Sequence, residues 1–377
     1  MLSSAKQKRF GRCLLLVLAA LVAVSLVGGR PVVAGASKNG GKLQKRLSQH
    51  PEADADGDGV LTAEEAEAFR EKSEAEQQRR LGRGGGPKLR MPDFQNVSYG
   101  PNERHVLDFW KAESDSPTPV VLWFHGGGFE TGGKETVRNR TLIPKLLDRR
   151  VSFASANYRL RNTTPIQDIL RDGARAVQFL RYKSDDWNID EQRIAAWGGS
   201  AGAGMAVWIG VHDDLADPAR SDPVLRESSR VAAIVGFGAQ CSYDMAVWAR
   251  LVYPPEDNSP KRTMIHRFYG FAKPEQIDTP EGRKIRADVD AYGLLTKDDP
   301  PMLLFSAAKD VPPGNPEYSG NHHPRHAVAL KKKADTLGVE CETWFLHDEP
   351  RLPENATTDD VVLPFLMKHL SSDKAFR

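Results

Sequence analysis

A serine stands at the centre of a glycine-rich stretch, Gly198-Gly199-Ser200-Ala201-Gly202, which directly follows an apolar run. The Gly-x-Ser-x-Gly pattern is typical of a sharp, strained turn between a strand and a helix, where the hydroxyl projects alone above a sheet. Glycine on either side of the turn removes side chains that would collide with the neighbouring strand and helix. A serine held in this way can attack an acyl carbon, and the N–H of Ala201 can face the resulting oxyanion. This spacing therefore favours nucleophilic acyl transfer.

A second glycine-rich motif lies upstream, where the apolar run from Val120 to Phe124 ends in His125-Gly126-Gly127-Gly128. The apolar run suits a strand that is buried on both faces of a parallel sheet. Successive glycines let the backbone approach a ligand closely and turn its N–H groups towards it. Either motif alone could be a simple tight turn, but the two in this order reinforce each other. We assign Gly127, Gly128 and Ala201 as the predicted donors of an oxyanion hole.

Together these motifs make the chain resemble the α/β-hydrolase esterase and lipase superfamily, in particular its HGGGF-type carboxylesterases of the hormone-sensitive-lipase-like and feruloyl-esterase-like branches. The resemblance extends from about Asp93 to the C-terminus and includes the Tyr-Arg-Leu segment at Tyr158. It implies an α/β-hydrolase fold, with a mostly parallel eight-stranded sheet flanked by helices. It also implies a serine hydrolase that acts on carboxylic esters without a catalytic cofactor. The expected substrates are small-molecule short acyl esters, or acetyl or feruloyl groups on polysaccharides.

The resemblance further implies a catalytic triad in the chain order Ser, Asp, His. Asp310, which ends an apolar run, is the candidate acid that would fix the histidine tautomer; a loop-capping role is its alternative. His347 directly follows the last predicted strand and is the first choice for the base, although the family places this histidine a few residues further along. His322 and His323, at the start of the preceding helix, are the alternative base. If no histidine pairs with Ser200, the domain is a catalytically degenerate binding module instead.

The apolar periodicity places these motifs in an alternating series of strands and helices. Strands are predicted near residues 97–110, 120–124, 151–158, 194–199, 231–237, 301–306 and 341–346, and helices near 141–149, 166–180, 203–212 and 329–337. This β–α–β order implies right-handed crossovers and a parallel sheet. Residues 243–300 contain no clear strand and predict a helical cap over the site, where substrate specificity would lie.

A separate motif near the N-terminus fits the twelve-residue EF-hand loop between Asp54 and Glu65. Helical sequence flanks it on both sides, and Gly59 supplies the sharp turn. The alternative is a solvated acidic turn. We expect Ca²⁺ in a structural or interaction role, with a possible calcium-dependent protein contact. The predicted ligands are Asp54, Asp56, Asp58, the Val60 carbonyl, Thr62 and the bidentate Glu65.

Basic residues precede an apolar run from Cys13 to Val27, and Ala34-Gly35-Ala36 follows it. This pattern predicts a cleavable signal peptide and a secreted or periplasmic protein without a stable membrane anchor after cleavage. Membrane anchoring by the same segment is the alternative. The predicted organisation is a signal peptide at 1–36, an EF-hand segment at 37–80, a linker at 81–91 and a hydrolase domain at 92–377.

Composition limits the partners of the 377-residue chain. A formal net charge of +2 gives no sign of nucleic-acid binding. An exported chain permits a disulfide between Cys241 and Cys341, and two buried thiols are equally consistent with the sequence.

Overall fold

The structure is a computed structural model that describes residues 47, 51–62, 65–66, 68–69, 90–137, 141–252, 265–354 and 356–371. The chain divides into two compact units, Met1–Arg80 and Leu81–Arg377. The predicted signal peptide, most of the predicted linker and most of the helical sequence around the acidic loop lie outside the described residues.

The second unit is built on one sheet of eight strands in the order β1-β2-β4-β3-β5-β6-β7-β8. Strands β1 and β2 pair antiparallel with each other, β2 pairs antiparallel with β4, and the remaining pairs are parallel. This arrangement confirms the α/β-hydrolase fold. The strands are β1 (Phe94–Ser98), β2 (Val106–Trp110), β3 (Thr118–Phe124), β4 (Ser152–Ala156), β5 (Ile189–Gly199), β6 (Ala233–Phe237), β7 (Met302–Ser306) and β8 (Cys341–Phe345).

Helices connect the parallel strands, as the alternating pattern predicts. They are α1 (Leu142–Leu147), α2 (Ile166–Tyr182), α3 (Ser184–Trp187), α4 (Ala201–Val211), α5 (Met245–Val252), α6 (Ile265–Phe268), α7 (Pro280–Asp288), α8 (Ala291–Leu294), α9 (Arg325–Leu337) and α10 (Asp359–His369). Short 3-10 turns add Pro51–Ala53, Lys134–Thr136, Pro223–Arg226, Pro274–Asp278 and Gly320–His322. In the described part of the chain, no helix is long and apolar enough to cross a membrane.

Strand β3 shows why its sequence is a continuous apolar run. Its side chains alternate between two core layers, with Leu122 and Phe124 on one face of the sheet and Val121 and Trp123 on the other. All seven residues are buried, because neighbouring strands cover both edges and helices cover both faces. The register pairs Phe124 with Gly198 of β5, so the two glycine-rich motifs leave the sheet side by side.

The described part of the stretch between β6 and β7 contains helices and no strand, as predicted, and residues 253–264 lie outside the described part. It reaches the glycine-rich loop through Tyr243, whose ring meets Phe129 edge-on at 5.4 Å between centroids. Cys241 and Cys341 are both buried free thiols, which excludes the disulfide alternative in this structure.

The first unit has its own small apolar cluster. Ala53, Leu61 and Ala66 are buried there, with Leu47 and Phe69 packed against them.

Candidate active site

Ser200 lies at the turn between β5 and α4, with φ 54° and ψ −120°. A positive φ is unusual for a residue with a side chain, and strain of this kind is concentrated at functional sites. The flanking glycines are needed for close approach: a Cβ on Gly198 would lie 2.2 Å from the Gly202 carbonyl, and one on Gly202 would lie 2.1 Å from Phe124 O. The N–H of Ser200 donates to Phe237 O at 2.7 Å, so β6 also holds the turn.

The Ser200 hydroxyl contacts a histidine. Its Oγ lies 2.7 Å from Nε2 of His322, in the 3-10 turn between β7 and α9. This is the pairing that allows a histidine to take the hydroxyl proton during nucleophilic attack.

The first-choice base, His347, does not lie at Ser200. Its side chain is exposed and, within the described residues, makes no hydrogen bond with the serine. The physical reason is reach: β8 is three strands away from β5, about 14 Å at ordinary strand spacing, and His347 follows β8 almost at once. Of the histidines predicted as the base, it is therefore the alternative, His322, that contacts Ser200 in the described part of the chain.

The predicted acid, Asp310, contacts the other member of the histidine pair. Its Oδ1 lies 3.0 Å from Nη2 of Arg325 and 3.5 Å from Nε2 of His323, and in the described part of the chain it makes no hydrogen bond with His322. Burial is the main cause of a lowered pKa for His323, outweighing the opposing effects of Val311 O and Asp310. The assignment of Asp310 as the triad acid stays a prediction.

The glycine-rich loop after β3 turns back beside the serine. Its backbone has positive φ at Gly127 (114°), Gly128 (63°) and Phe129 (60°). The Gly127 carbonyl closes the turn by accepting from Glu130 N at 3.0 Å and Thr131 N at 3.2 Å. Among the described residues, the N–H groups of Gly127 and Gly128 donate to no protein group, which leaves them available to a ligand oxygen. The N–H of Ala201 starts α4 and has no acceptor within its own helix.

Two side chains hold this loop, one from the turn before β2 and one from the segment after β4. Arg104 donates through Nε to Tyr158 O at 2.7 Å and through Nη2 to Gly132 O at 3.0 Å. The Tyr158 ring stacks on the His125 ring, with centroids 4.1 Å apart, and its hydroxyl donates to the His125 carbonyl. Burial lowers the pKa of His125 to about 4, so this ring is neutral near pH 7.

The far end of the loop is anchored by a buried lysine. Lys134 Nζ donates to Asp108 Oδ2 at 2.7 Å and to Glu135 Oε1 at 3.0 Å. Burial disfavours the charged amine, but these hydrogen bonds outweigh it and raise the pKa of Lys134. The glycine loop is thus fixed at both ends by charged side chains.

No sequence pattern pointed to Arg104, because it lies in the turn between β1 and β2 and belongs to no recognisable motif. The Tyr-Arg-Leu segment did point to this region, and the structure separates its two polar members. Tyr158 supports the glycine loop, whereas Arg159 pairs with Asp172, Nη2 to Oδ1 at 2.6 Å.

In the first unit, the acidic loop has a shape that fits a cation. Carboxylate oxygens of Asp54, Asp56 and Asp58 lie within 4.8 Å of one another. Gly59 has φ 81°, the left-handed conformation that the sixth loop position requires. The Glu65 carboxylate folds back over the loop and accepts from Ala55 N at 3.0 Å. The loop therefore presents the oxygen donors that Ca²⁺ prefers.

Comparison with known proteins shows that the chain is similar to esterases. The BD-FAE family model matches residues 107–313, more than half of the chain. Gut esterase 1 of Caenorhabditis elegans is 24% identical over 46% of this chain and 33% of its own length. The Arabidopsis thaliana isoprenylcysteine alpha-carbonyl methylesterase ICME is 22% identical over 71% of this chain and 61% of its own length. The chain therefore spans between about a third and three fifths of the length of these relatives.

Solved structures show the same fold. A truncated carbohydrate esterase from gut microbiota superimposes with a TM-score of 0.56 at 18% identity, covering 76% of this chain and 99% of that one. Butyrate-bound esterase 2 of Thermogutta terrifontis gives a TM-score of 0.54 at 18% identity, covering 76% of this chain and 100% of that one. At these identities the likeness concerns the fold alone.

Proposed function

The chain belongs to the BD-FAE family, and from that premise we propose that it is a serine hydrolase that cleaves carboxylic esters. One observation carries the proposal: Ser200 Oγ lies 2.7 Å from His322 Nε2 at a strained strand-to-helix turn. The open N–H groups of the adjacent glycine loop and the esterase names of the relatives support it. The serine–histidine pairing argues against a degenerate binding module.

In the proposed reaction, Ser200 Oγ attacks the ester carbonyl carbon while its proton passes to His322 Nε2. The carbonyl oxygen becomes an oxyanion that accepts from the N–H groups of Gly127, Gly128 and Ala201. The carbon–oxygen bond to the alcohol then breaks, and His322 returns its proton to the departing alkoxide. Water then attacks the acyl carbon while His322 takes its proton, the bond from that carbon to Ser200 Oγ breaks, and His322 returns the proton to Oγ. No cofactor takes part in these steps.

The substrates that we propose are small esters of short acyl groups, or acetyl or feruloyl esters on polysaccharides. The predicted signal peptide supports action outside the cytoplasm, in a secreted or periplasmic protein.

Reaction with a fluorophosphonate probe and hydrolysis of p-nitrophenyl acetate test the proposal. Ser200→Ala should abolish both, because it removes the hydroxyl that would form the acyl intermediate. Ser116→Ala, which changes an exposed serine in the loop before β3, is the matched control and should keep both. Wild-type turnover by Ser200→Ala would refute the assignment.

We also propose that residues 54–65 bind one Ca²⁺ through Asp54, Asp56, Asp58, Val60 O, Thr62 and Glu65. The convergence of the three aspartates within 4.8 Å supports the site. The ion would link the loop ends and stabilise the small apolar cluster around Leu61, without a part in ester chemistry. A calcium-dependent contact with another protein is consistent with this role.

A further inference from the structure

The proposed base lies in an unusual place, which raises the question of what holds it there. His322 belongs to a 3-10 turn of three residues that precedes α9, and the sheet itself makes no ladder contact with this turn. A histidine on a short turn needs other restraints to keep Nε2 at hydrogen-bond distance from a serine, since a misplacement of 1 Å can lower a rate by about 100-fold.

Three consecutive backbone carbonyls of this turn each accept a hydrogen bond from a buried side chain. Gly320 O accepts from His326 Nε2 at 3.0 Å, Asn321 O from Gln240 Nε2 at 2.7 Å, and His322 O from Ser306 Oγ at 3.1 Å. The donors come from α9, the loop after β6 and the end of β7. His326, Gln240 and Ser306 are only 1%, 4% and 5% exposed, so water cannot easily replace these bonds.

We propose that Gln240, Ser306 and His326 are positioning residues that place His322 against Ser200. This inference rests on the proposed function, because it assigns a purpose to the turn only if His322 is the base. None of the three side chains contacts the reacting oxygen; they act through the backbone of the turn.

Gln240 connects the base to the backbone that holds the nucleophile. Its two amide hydrogens go to Asn321 O and to Gly238 O at 2.9 Å, and its Oε1 accepts from the Tyr243 hydroxyl at 3.1 Å. Because both neighbours of Nε2 are carbonyls, which only accept, the orientation of the amide is fixed. Gly238 follows Phe237, the residue whose carbonyl accepts from Ser200 N. The Gln240 amide therefore links the turn that carries His322 to the backbone segment that accepts from Ser200 N.

His326 is equally restricted in its protonation. Its Nδ1 accepts from Cys241 N at 3.2 Å, so the proton is on Nε2 and is donated to Gly320 O. The Cys241 thiol lies 3.3 Å from the same Nδ1 and is buried, which raises its pKa to about 12. This cysteine is thus a supporting contact for the turn and not a second nucleophile.

The isosteric change Gln240→Glu is the sharpest test. It replaces the donating Nε2 by an oxygen that faces two carbonyls, while the volume stays the same. We expect kcat for p-nitrophenyl acetate to fall by about 100-fold with KM little changed, and the rate of fluorophosphonate labelling to fall in parallel.

Gln178→Glu is the matched control. Gln178 on α2 is also buried, and its Nε2 donates to Glu227 O at 2.8 Å far from the site. It should lose thermal stability as Gln240→Glu does and keep its kcat. A kcat for Gln240→Glu within about twofold of wild type, or an equal loss in Gln178→Glu, would overturn the inference.

If Gln240→Glu does not fold, Ser306→Ala compared with Ser152→Ala decides the question. Ser152 is buried at the first residue of β4, whereas Ser306 is the last residue of β7. The Oγ of Ser152 forms a hydrogen bond with Thr118 Oγ1 at 2.8 Å. Only Ser306→Ala should lower kcat, by about tenfold for one lost restraint. Ser200→Ala measured in parallel separates the two hypotheses: an inactive Ser200→Ala beside a fully active Ser306→Ala rejects the positioning role alone, whereas an active Ser200→Ala rejects the proposed function.

Discussion

Arg104 lies against His125 in a way that decides where the imidazole carries its proton: Arg104 Nη2 is 3.5 Å from His125 Nε2. A guanidinium can only donate, so Nε2 must be the unprotonated nitrogen. Nδ1 then holds the proton and donates it to Gly126 O at 2.7 Å. The glycine loop therefore begins at a neutral histidine. In a protonated His125, the N–H at Nε2 would point at the positively charged Arg104 guanidinium.

Arg104→Lys should lower kcat by about tenfold or more, since the ammonium group cannot hold Tyr158 O and Gly132 O together and the oxyanion donors would lose their alignment. Steady-state hydrolysis of p-nitrophenyl acetate measures the loss. Arg181→Lys is the control, because Arg181 likewise donates to backbone carbonyls, those of Glu191, Ser228 and Arg230. Equal effects of the two changes on kcat would show that Arg104 matters for folding only.

Stability should fall as the pH drops from about 6.5 to 4, because burial lowers the pKa of both His125 and His326 to about 4 in the folded protein. Between the unfolded value near 6.5 and the folded value, the unfolded chain binds more protons, so the free energy of unfolding decreases with decreasing pH. Above about pH 6.5 this contribution is constant. Each ring accounts for up to about 3 kcal/mol of the loss.

Urea unfolding of wild type and His326→Asn at pH 7 and pH 5 checks this prediction. The variant should be less stable at pH 7 and should show a shallower pH dependence, since one of the two rings whose pKa burial lowers to about 4 is gone. His347→Asn, at an exposed histidine, should keep the wild-type slope. Identical slopes for all three proteins would contradict the prediction.

Single histidine variants separate the two candidate bases. His322→Ala should reduce kcat by about a thousandfold or more, because it removes the group that takes the serine proton, whereas His347→Ala should stay near wild type. Esterase assays at saturating substrate measure both. A fully active His322→Ala beside an inactive His347→Ala would show that the pairing with Ser200 in this structure is not the catalytic one.

The sequence could predict the strained turn at Ser200 and the glycine loop because close backbone approach allows so few residue types there. A side chain at position 198 or 202 would lie about 2 Å from neighbouring backbone, so glycine marks the turn in any such chain. The β–α–β order was readable for a similar reason, since a strand like β3, covered on both faces, must be continuously apolar. These features depend on residues that are close in the sequence.

The histidine that contacts Ser200 could not be predicted in the same way because its place depends on reach across the sheet. His347 directly follows the last predicted strand, a few residues before the family's position for this histidine, and no pattern tells whether the chain there turns back towards Ser200. His322 lies in a turn whose three carbonyls accept from residues up to 81 positions away, such as Gln240. Contacts of that kind leave no local signal. Arg104 was missed for the same reason.

Calcium binding should depend on Glu65, and ester turnover should not depend on calcium. In an EF-hand loop the last carboxylate supplies two of about seven oxygens, so Glu65→Gln should weaken Ca²⁺ binding measured by calorimetry. Glu113→Gln, at an exposed carboxylate of the hydrolase unit, should bind as wild type does. The glycine-rich sequence at 84–86, which predicts a flexible tether, is the reason to expect equal turnover with and without chelator. Chelation that stops turnover in the full chain, but not in a chain that starts at Met91, would instead show that the first unit regulates the hydrolase.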